Sequence, residues 1–152
     1  MSALTKARHG ERTIERWDAI VVGGGPAGSS CAWQLRRRGL SCLILDKCGF
    51  PRPKLCAGWI TPEVIDDLAF DSDAYPHRFN TFEQIIAHVK GLTFRLRGPQ
   101  HSIRRFEFDD YLLANSGAEV ARHKVMQITR TGDGRYLIDD TYTCDYLIGA
   151  GG

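Results

Sequence analysis

The sequence predicts an α/β fold built on a parallel sheet, and three observations support this class. Residues 18–22 form a short apolar run without polar alternation, typical of a strand buried on both faces of such a sheet. Three glycines and Pro26 follow, and residues 27–38 then predict a helix that ends in three arginines. A second apolar run at 40–45 leads into Asp46, which completes a strand–helix–strand unit with its right-handed crossover.

The rest of the chain predicts shorter elements. A loop at 48–62 is followed by a helix that starts around Thr61 and runs through Leu68. Apolar, β-prone residues and turn signals predict the remaining elements, which are strands between 83 and 96, a turn at Gly98–Pro99, a strand at 103–106, a helix around 108–113, a strand at 119–121, a hairpin whose strands 125–130 and 135–138 flank a turn, and a last strand at 143–148.

Composition indicates one globular domain. The chain has 152 residues, of which 43% are hydrophobic and 25% charged, and the net charge is +2. Residues 1–16 account for that excess, so they are expected to form a flexible, solvated tail. The balanced remainder gives no electrostatic reason to expect nucleic acid as a partner. No stretch is apolar and long enough to suggest a secretory leader or a membrane span.

Cysteine and histidine usage points to a reducing compartment without a metal site. The five cysteines are odd in number and include no C-x-x-C pair, which favours a cytoplasmic location. The five histidines are scattered and none stands at a ligand spacing. We therefore expect no bound metal.

A glycine motif lies between the first predicted strand and the first helix. Gly23, Gly25 and Gly28 follow the spacing G-x-G-x-x-G, which allows a tight turn, close approach of a pyrophosphate and close helix–strand packing, respectively. The helix N-terminus adds unpaired N–H groups and about half a positive charge. Asp46 stands where an acid accepts both ribose hydroxyls of an adenosine, and its charge repels a 2′-phosphate. The pattern predicts an FAD or NAD site rather than an NADP site.

Four segments distinguish FAD from NAD, because together they resemble the motifs of a known family. They are the first glycine motif at 18–30, Pro53-x-x-Cys56-Ala57-Gly58, the Arg-x-x-Phe-Asp run at 105–109, and the glycine-rich end at 146–152. In this order they resemble the FAD-dependent geranylgeranyl reductase family, within the flavoprotein oxidoreductases and monooxygenases similar to p-hydroxybenzoate hydroxylase. Ala57 stands where that family more often has glycine, and Gly151 where it usually has aspartate. The resemblance implies a Rossmann-like, three-layer FAD/NAD(P)-binding fold.

The resemblance also implies which residues bind FAD. They are Gly23, Gly25, Pro26, Ala27, Gly28, Asp46, Lys47, Cys56, Ala57, Gly58, Arg105, Val125 and Gly149. The glycine turn would hold the pyrophosphate, Asp46 and Lys47 the adenosine ribose, and the Cys56 loop the flavin or its ribityl chain. Arg105 would reach the phosphate and ribityl region, as a planar donor fork can, and Val125 would offer its backbone to the adenine.

Plainer alternatives remain open for these residues, and Val125 could pack in the core whatever its backbone does. Cys56 could be a small buried hydrophobe rather than a flavin neighbour. Arg105 could form a surface ion pair with Glu107 or Asp109. No residue stands out as a catalytic acid or base.

The function implied is that of an FAD-dependent oxidoreductase. NAD(P)H would reduce the flavin, and hydride would pass to an alkene in a small-molecule substrate of the isoprenoid class, with peripheral membrane contact in the full-length enzyme. Three alternatives stay open, namely an FAD-dependent aromatic-type monooxygenase, a nicotinamide-dependent dehydrogenase, and an inactive fragment with weak nucleotide binding.

The same resemblance predicts an incomplete domain. Residues 17–152 are expected to form the FAD-binding domain of a larger enzyme, cut within its second FAD motif. Residues of about 72–104 are expected to start an excursion into a substrate domain. We therefore expect a flavoenzyme's binding motifs here, and not its complete activity.

Overall fold

The computed structural model describes residues 13–151, which form two β-sheets and three helices. The elements in chain order are β1 (Glu15–Val22), α1 (Pro26–Arg37), β2 (Cys42–Asp46), β3 (Trp59–Ile60), α2 (Pro62–Asp67), β4 (Asn80–Val89), β5 (Leu92–Ser102), α3 (Arg105–Ala114), β6 (Glu119–Arg122), β7 (Ile128–Arg130), β8 (Tyr136–Ile138) and β9 (Tyr142–Gly149). None of the helices described is long and apolar enough to cross a membrane.

The larger sheet has the strand order β6-β2-β1-β9-β8-β7. Strands β6, β2, β1 and β9 are parallel, whereas β8 and β7 continue the sheet in antiparallel pairs. The central strand β1 places Val21 beside Ile44 of β2 and Ile148 of β9. This arrangement confirms the predicted α/β class, and the strand–helix–strand unit is its centre.

Side chains of β1 alternate between the two faces of this sheet. Ala19 and Val21 pack with Ala32 of α1 and Leu113 of α3 on the helical face. Ile20 packs with Ile138 of β8 and other buried residues on the opposite face. Because both faces are covered, β1 needs apolar residues at successive positions, which is the signal that the sequence carried.

The first strand begins earlier than expected. β1 starts at Glu15, which pairs with Tyr142, so two residues assigned to the tail belong to the sheet. The physical reason is the length of β9, which offers eight residues for pairing and therefore extends its neighbour toward the N-terminus. Residues 1–12 lie outside the described part of the chain, and the flexibility expected of them stays a prediction.

The predicted turn at Gly98–Pro99 is wrong. β5 runs without interruption from Leu92 to Ser102, between β3 and β4 in a three-stranded antiparallel sheet. The register shifts here, because Phe82 pairs with Gln100 but Gln84 pairs with Arg97. A β-bulge therefore absorbs the glycine and the proline, two residues that disturb a regular ladder. That this second sheet belongs to a substrate domain stays a prediction.

The strand predicted at 103–106 is also wrong, because α3 begins at Arg105. The backbone N–H of Ile103 donates to the carbonyl of Gly58 at 2.9 Å, where the chain leaves the sheet. The Ile103 side chain is buried in an aromatic cluster with Tyr75 and Phe108. Its apolar character reflects this packing and not a strand.

Candidate functional site

The glycine turn joins β1 to α1, and two of its glycines are required by packing. Gly23 has φ +112°, and a Cβ there would collide with the carbonyl oxygen of Ala150. The Ala150 N–H in turn donates to the carbonyl of Val22 at 2.7 Å, which fixes the end of β9 against the turn. A Cβ on Gly28 would collide with the carbonyl oxygen of Gly23. These two glycines bring the strand and the helix into direct contact, as the motif predicts.

Gly25 differs from the other two. It is the N-cap of α1, and as a glycine it has no side chain that could cap the helix. A Cβ at this position would have only Nη2 of Arg52 nearby, at 3.8 Å. The first backbone N–H groups of the helix therefore lie beside open space, where an acceptor from a ligand can satisfy them.

Asp46 ends β2 next to this turn, and its side chain is only 7% exposed. Oδ2 accepts a hydrogen bond from the N–H of Gly24 at 2.7 Å, and Oδ1 accepts one from the N–H of Cys48 at 2.8 Å. Each bond occupies one lone pair of its own oxygen, so both carboxylate oxygens can still accept a hydrogen bond from a ligand. The carboxylate is thus fixed relative to the glycine turn before any ligand binds.

A cavity of about 350 Å³ opens where the parallel strands end, and we call it the turn cavity. Four residues predicted to bind the cofactor line it, namely Gly23, Asp46, Lys47 and Val125. Its other lining residues were not predicted from the sequence and include Arg52, Lys54, His123, Lys124 and Gly151. The basic Pro-Arg-Pro-Lys run directly after the second strand was an available signal for two of them.

The segment before β7 is hydrogen-bonded to the turn that joins β8 and β9. Nε2 of His123 lies 2.6 Å from Oδ2 of Asp139. The backbone N–H groups of Met126 and Gln127 also donate to the Asp139 carboxylate, at 3.1 and 2.6 Å. Burial raises the pKa of Asp139, but these hydrogen bonds outweigh it and lower that pKa overall. This network fixes the backbone around Val125 at the wall of the turn cavity.

A second cavity, of about 440 Å³, lies beside α1, and we call it the thiol cavity. Four more of the predicted residues line it, namely Pro26, Ala27, Cys56 and Arg105. Most of its other lining is apolar or aromatic and comes from Trp33, Trp59, Ile60, Val64, Leu68 and Phe108. Eight of the predicted residues are therefore divided between two cavities, one lined by Gly23 of the glycine turn and the other by Pro26 and Ala27 of α1.

Arg105 and Cys56 interact at the edge of the thiol cavity. Arg105 donates to Asp109 through Nε at 2.7 Å and Nη2 at 3.0 Å. The Asp109 side chain is 1% exposed, so the pair is largely buried and not the surface ion pair considered above. Hydrogen bonds from the Gly58 N–H, at 3.4 Å, and from Arg105 lower the pKa of Cys56. Cys56 is exposed, so its interpretation as a buried hydrophobe is wrong.

The remaining predicted residues lie outside both cavity walls. A Cβ on Gly58 would collide with the carbonyl oxygen of Ile103, so this glycine is required where the loop crosses the chain. Ala57 is exposed in the same loop. Gly149 ends β9, while Gly151, two residues later, lines the turn cavity. Within residues 13–151, no three His, Cys, Asp or Glu side chains are grouped so that they could hold a metal ion.

Sequence comparison finds relatives of several kinds. Residues 21–90 match the NAD(P)-binding Rossmann-like domain family. The chain is 52% identical over 53 residues to the geranylgeranyl diphosphate reductase of Rhodobacter capsulatus, which covers 35% of this chain and 13% of that protein. It is 47% identical over 107 residues to a pyrrole-carbonyl-carrier protein brominase of Pseudoalteromonas luteoviolacea, covering 65% of this chain and 26% of that one. Menaquinone reductases of mycobacteria also match.

Solved structures share the fold. A geranylgeranyl bacteriochlorophyll reductase-like protein from Thermoplasma acidophilum superposes with a TM-score of 0.76 at 20% identity, covering 92% of this chain and 40% of the other. At 20% identity, this structural likeness establishes the fold alone, which is Rossmann-like. The chain spans only a part of its curated relatives, 38% of the first, an uncharacterized protein of Methanosarcina barkeri, and 13% of the reductase from Rhodobacter.

Proposed function

Because the chain carries a Rossmann-like FAD/NAD(P)-binding domain whose relatives include geranylgeranyl reductases, menaquinone reductases and halogenases, we propose that it binds FAD. The observation that carries this proposal is the placement of Asp46 beside the glycine turn, at the carboxyl ends of parallel strands. An open parallel sheet binds its ligand at this edge, where neighbouring strands connect in different directions.

The residues of the turn cavity fit an adenosine diphosphate group. The face of Gly25 is open, so a diphosphate can approach the first N–H groups of α1 without a steric clash. The fixed carboxylate of Asp46 is positioned to accept from ribose hydroxyls, and its charge opposes a 2′-phosphate. The backbone around Val125 supplies polar groups for the adenine.

The thiol cavity would take the ribityl and flavin end of the same molecule. Arg105 and Cys56 meet at its edge, and aromatic side chains of Trp33 and Trp59 contribute to its lining. A diphosphate bound at the start of α1 would join the two cavities, because Gly23 lines one while Pro26 and Ala27 line the other. In this arrangement the chain binds and orients the cofactor at both ends.

We propose further that the FAD serves an oxidoreductase that takes hydride from NAD(P)H and reduces an alkene of the isoprenoid class. The bound flavin would supply the hydride chemistry, and the chain's own residues would hold and orient it. The relatives named for geranylgeranyl diphosphate and for digeranylgeranylglycerophospholipid support this substrate class. A second candidate, flavin-dependent halogenation, is favoured by the 47% identity to the brominase.

The test of FAD binding uses the 152-residue chain purified with excess FAD and then desalted. We expect flavin absorbance to remain with the protein and flavin fluorescence to be quenched on titration. Competition with NAD⁺ separates FAD from a nicotinamide cofactor, because NAD⁺ should displace little bound FAD. A colourless protein that also fails to quench FAD fluorescence contradicts the proposal. Displacement at equal concentrations favours the dehydrogenase instead.

A further inference from the structure

Arg52 lies in the loop between β2 and β3, and its sequence position did not predict a role in binding. We infer that Arg52 binds the diphosphate of the dinucleotide and makes the turn cavity selective for diphosphate ligands over nucleosides. This inference rests on the proposed FAD binding, since it assigns one further residue to the same site.

The guanidinium of Arg52 lies over the glycine turn. Its Nη2 atom is 3.8 Å from the point where a Cβ of Gly25 would stand. Its Cζ atom lies 5.0 Å from the ring centroid of Phe50, at a cation–π distance. The Phe50 ring in turn packs on the backbone of Gly24, where an added Cβ would be 3.2 Å from the ring. The aromatic ring therefore holds the arginine beside the turn that would receive a phosphate.

The guanidinium of Arg52 has one buried donor without a partner in the described part of the chain, and it forms a long ion pair with Asp46. Nη2 lies 3.9 Å from Oδ2 of Asp46, which is too long for a hydrogen bond. Nε is buried and has no hydrogen-bond partner among residues 13–151. A buried donor without an acceptor costs stability, and such a cost is tolerated where a ligand supplies the acceptor. The planar donor fork of arginine matches the oxygens of a phosphate.

The positive charge of Arg52 also counters the repulsion between the Asp46 carboxylate and a bound diphosphate. Asp46 is buried and next to the turn, so its carboxylate would repel a diphosphate bound at the start of α1. Arg52 lies between these two positions, close to both Gly25 and Asp46. It can attract the diphosphate while it offsets the charge of the carboxylate. The site can therefore place the Asp46 carboxylate at the ribose and still bind the anionic diphosphate beside it.

The alternative is that Arg52 acts only inside the protein, by holding Phe50 and Asp46 in place. The two roles differ in their ligand dependence. A diphosphate contact affects ADP and FAD but leaves adenosine unchanged, whereas a structural role affects all three ligands together.

The experiment measures dissociation constants of the 152-residue chain for FAD, ADP and adenosine, by flavin fluorescence and by calorimetry. Arg52→Gln removes the charge, and Arg52→Lys keeps the charge but loses the planar fork. Arg130→Gln is the matched control, because Arg130 also lies over an aromatic ring, that of Tyr136, and neither residue lines the turn cavity or the thiol cavity. Circular dichroism and thermal unfolding verify that each variant is folded.

We expect Arg52→Gln to weaken FAD and ADP about tenfold or more, while adenosine changes less than about twofold. Arg52→Lys should fall between this variant and the wild type, and it decides the matter if Arg52→Gln fails to fold. Arg130→Gln should bind all three ligands as the wild type does. Equal losses for ADP and adenosine, or no loss for either, overturn the inference while leaving FAD binding intact. A wild-type chain that binds none of them overturns the proposed function itself.

Discussion

The carboxylate of Asp46 accepts a 2.7 Å hydrogen bond from the backbone N–H of Gly24, across 22 residues of sequence. This bond joins the end of β2 to the turn that follows β1, and it is buried. The residue proposed to bind the ribose is therefore also a structural support of the glycine turn. Substitution of Asp46 should affect both stability and binding, and the two effects can be separated by measurement.

Asp46→Ala is expected to lower the free energy of unfolding by about 1–3 kcal/mol, because two backbone donors lose their acceptor. We also expect FAD affinity to fall about tenfold or more. Asp133→Ala is the control, since Asp133 is an exposed acid on the β7–β8 turn that pairs with Arg135. Denaturant unfolding and fluorescence titration measure the two quantities. Equal losses of FAD affinity in both variants would refute the ribose assignment.

Gly28→Ala and Gly25→Ala should separate folding from binding within one motif. A Cβ at position 28 would collide with the carbonyl oxygen of Gly23 and lie 3.2 Å from Cγ1 of Val21, so we expect a loss of about 2 kcal/mol or more in stability. A Cβ at position 25 has space, so that variant should unfold nearly as the wild type does. It should nevertheless bind FAD at least about tenfold more weakly, because the methyl group occupies the approach of the diphosphate. Wild-type FAD affinity in Gly25→Ala would contradict the proposed approach.

Cys56 should react with iodoacetamide before the buried cysteines do. Its pKa is lowered by the hydrogen bonds from Gly58 and Arg105, whereas burial raises the pKa of Cys42 and of Cys144 to about 11. Mass spectrometry of timed samples near pH 8 measures the order of labelling.

Arg105→Gln should slow the labelling of Cys56 several-fold, since less of the thiol is then ionised. The matched control is Arg104→Gln, because Arg104 is exposed and pairs with Glu107 instead. If both variants slow the reaction alike, Arg105 does not control the thiolate.

Asp139→Asn should reduce stability in a pH-dependent way. The pKa of Asp139 in the folded chain lies below its ordinary value of 3.8, so its ionised contacts stabilise the protein above about pH 4. This stabilisation is lost as the pH falls through the lower, folded pKa. We expect Asp139→Asn to lower the free energy of unfolding by about 1 kcal/mol at neutral pH, with the difference from wild type shrinking below about pH 4.

Asp140→Asn is the control for this substitution. Both aspartates have positive φ, of 47° and 51°, a backbone region that asparagine tolerates, so only the lost charge and its bonds should differ. Denaturant unfolding at several pH values measures the effect. A difference between Asp139→Asn and wild type that does not change down to pH 3 would contradict the role of its charge.

Local signals in the sequence predicted the part of this protein in which neighbours along the chain are also neighbours in space. The strand–helix–strand unit follows from apolar runs and from glycine spacing, because one turn joins β1 to α1 and the crossover is short. The same reasoning placed Asp46 at the end of β2. It failed at Gly98–Pro99, where a bulge against β4 absorbs residues that otherwise signal a turn.

Tertiary contacts decided what the sequence pattern left open. The start of β1 at Glu15 depends on pairing with β9, more than 120 residues later. The choice of Asp109 over Glu107 as the partner of Arg105 depends on which side chain α3 turns inward. The position of Arg52 over Gly25 depends on Phe50 packing against the turn. By itself the sequence determined the fold class and the glycine–acid motif, since both arise from local periodicity. Only folding decided which charged groups pair and which keep free donors, because that outcome depends on distances between segments far apart in the chain.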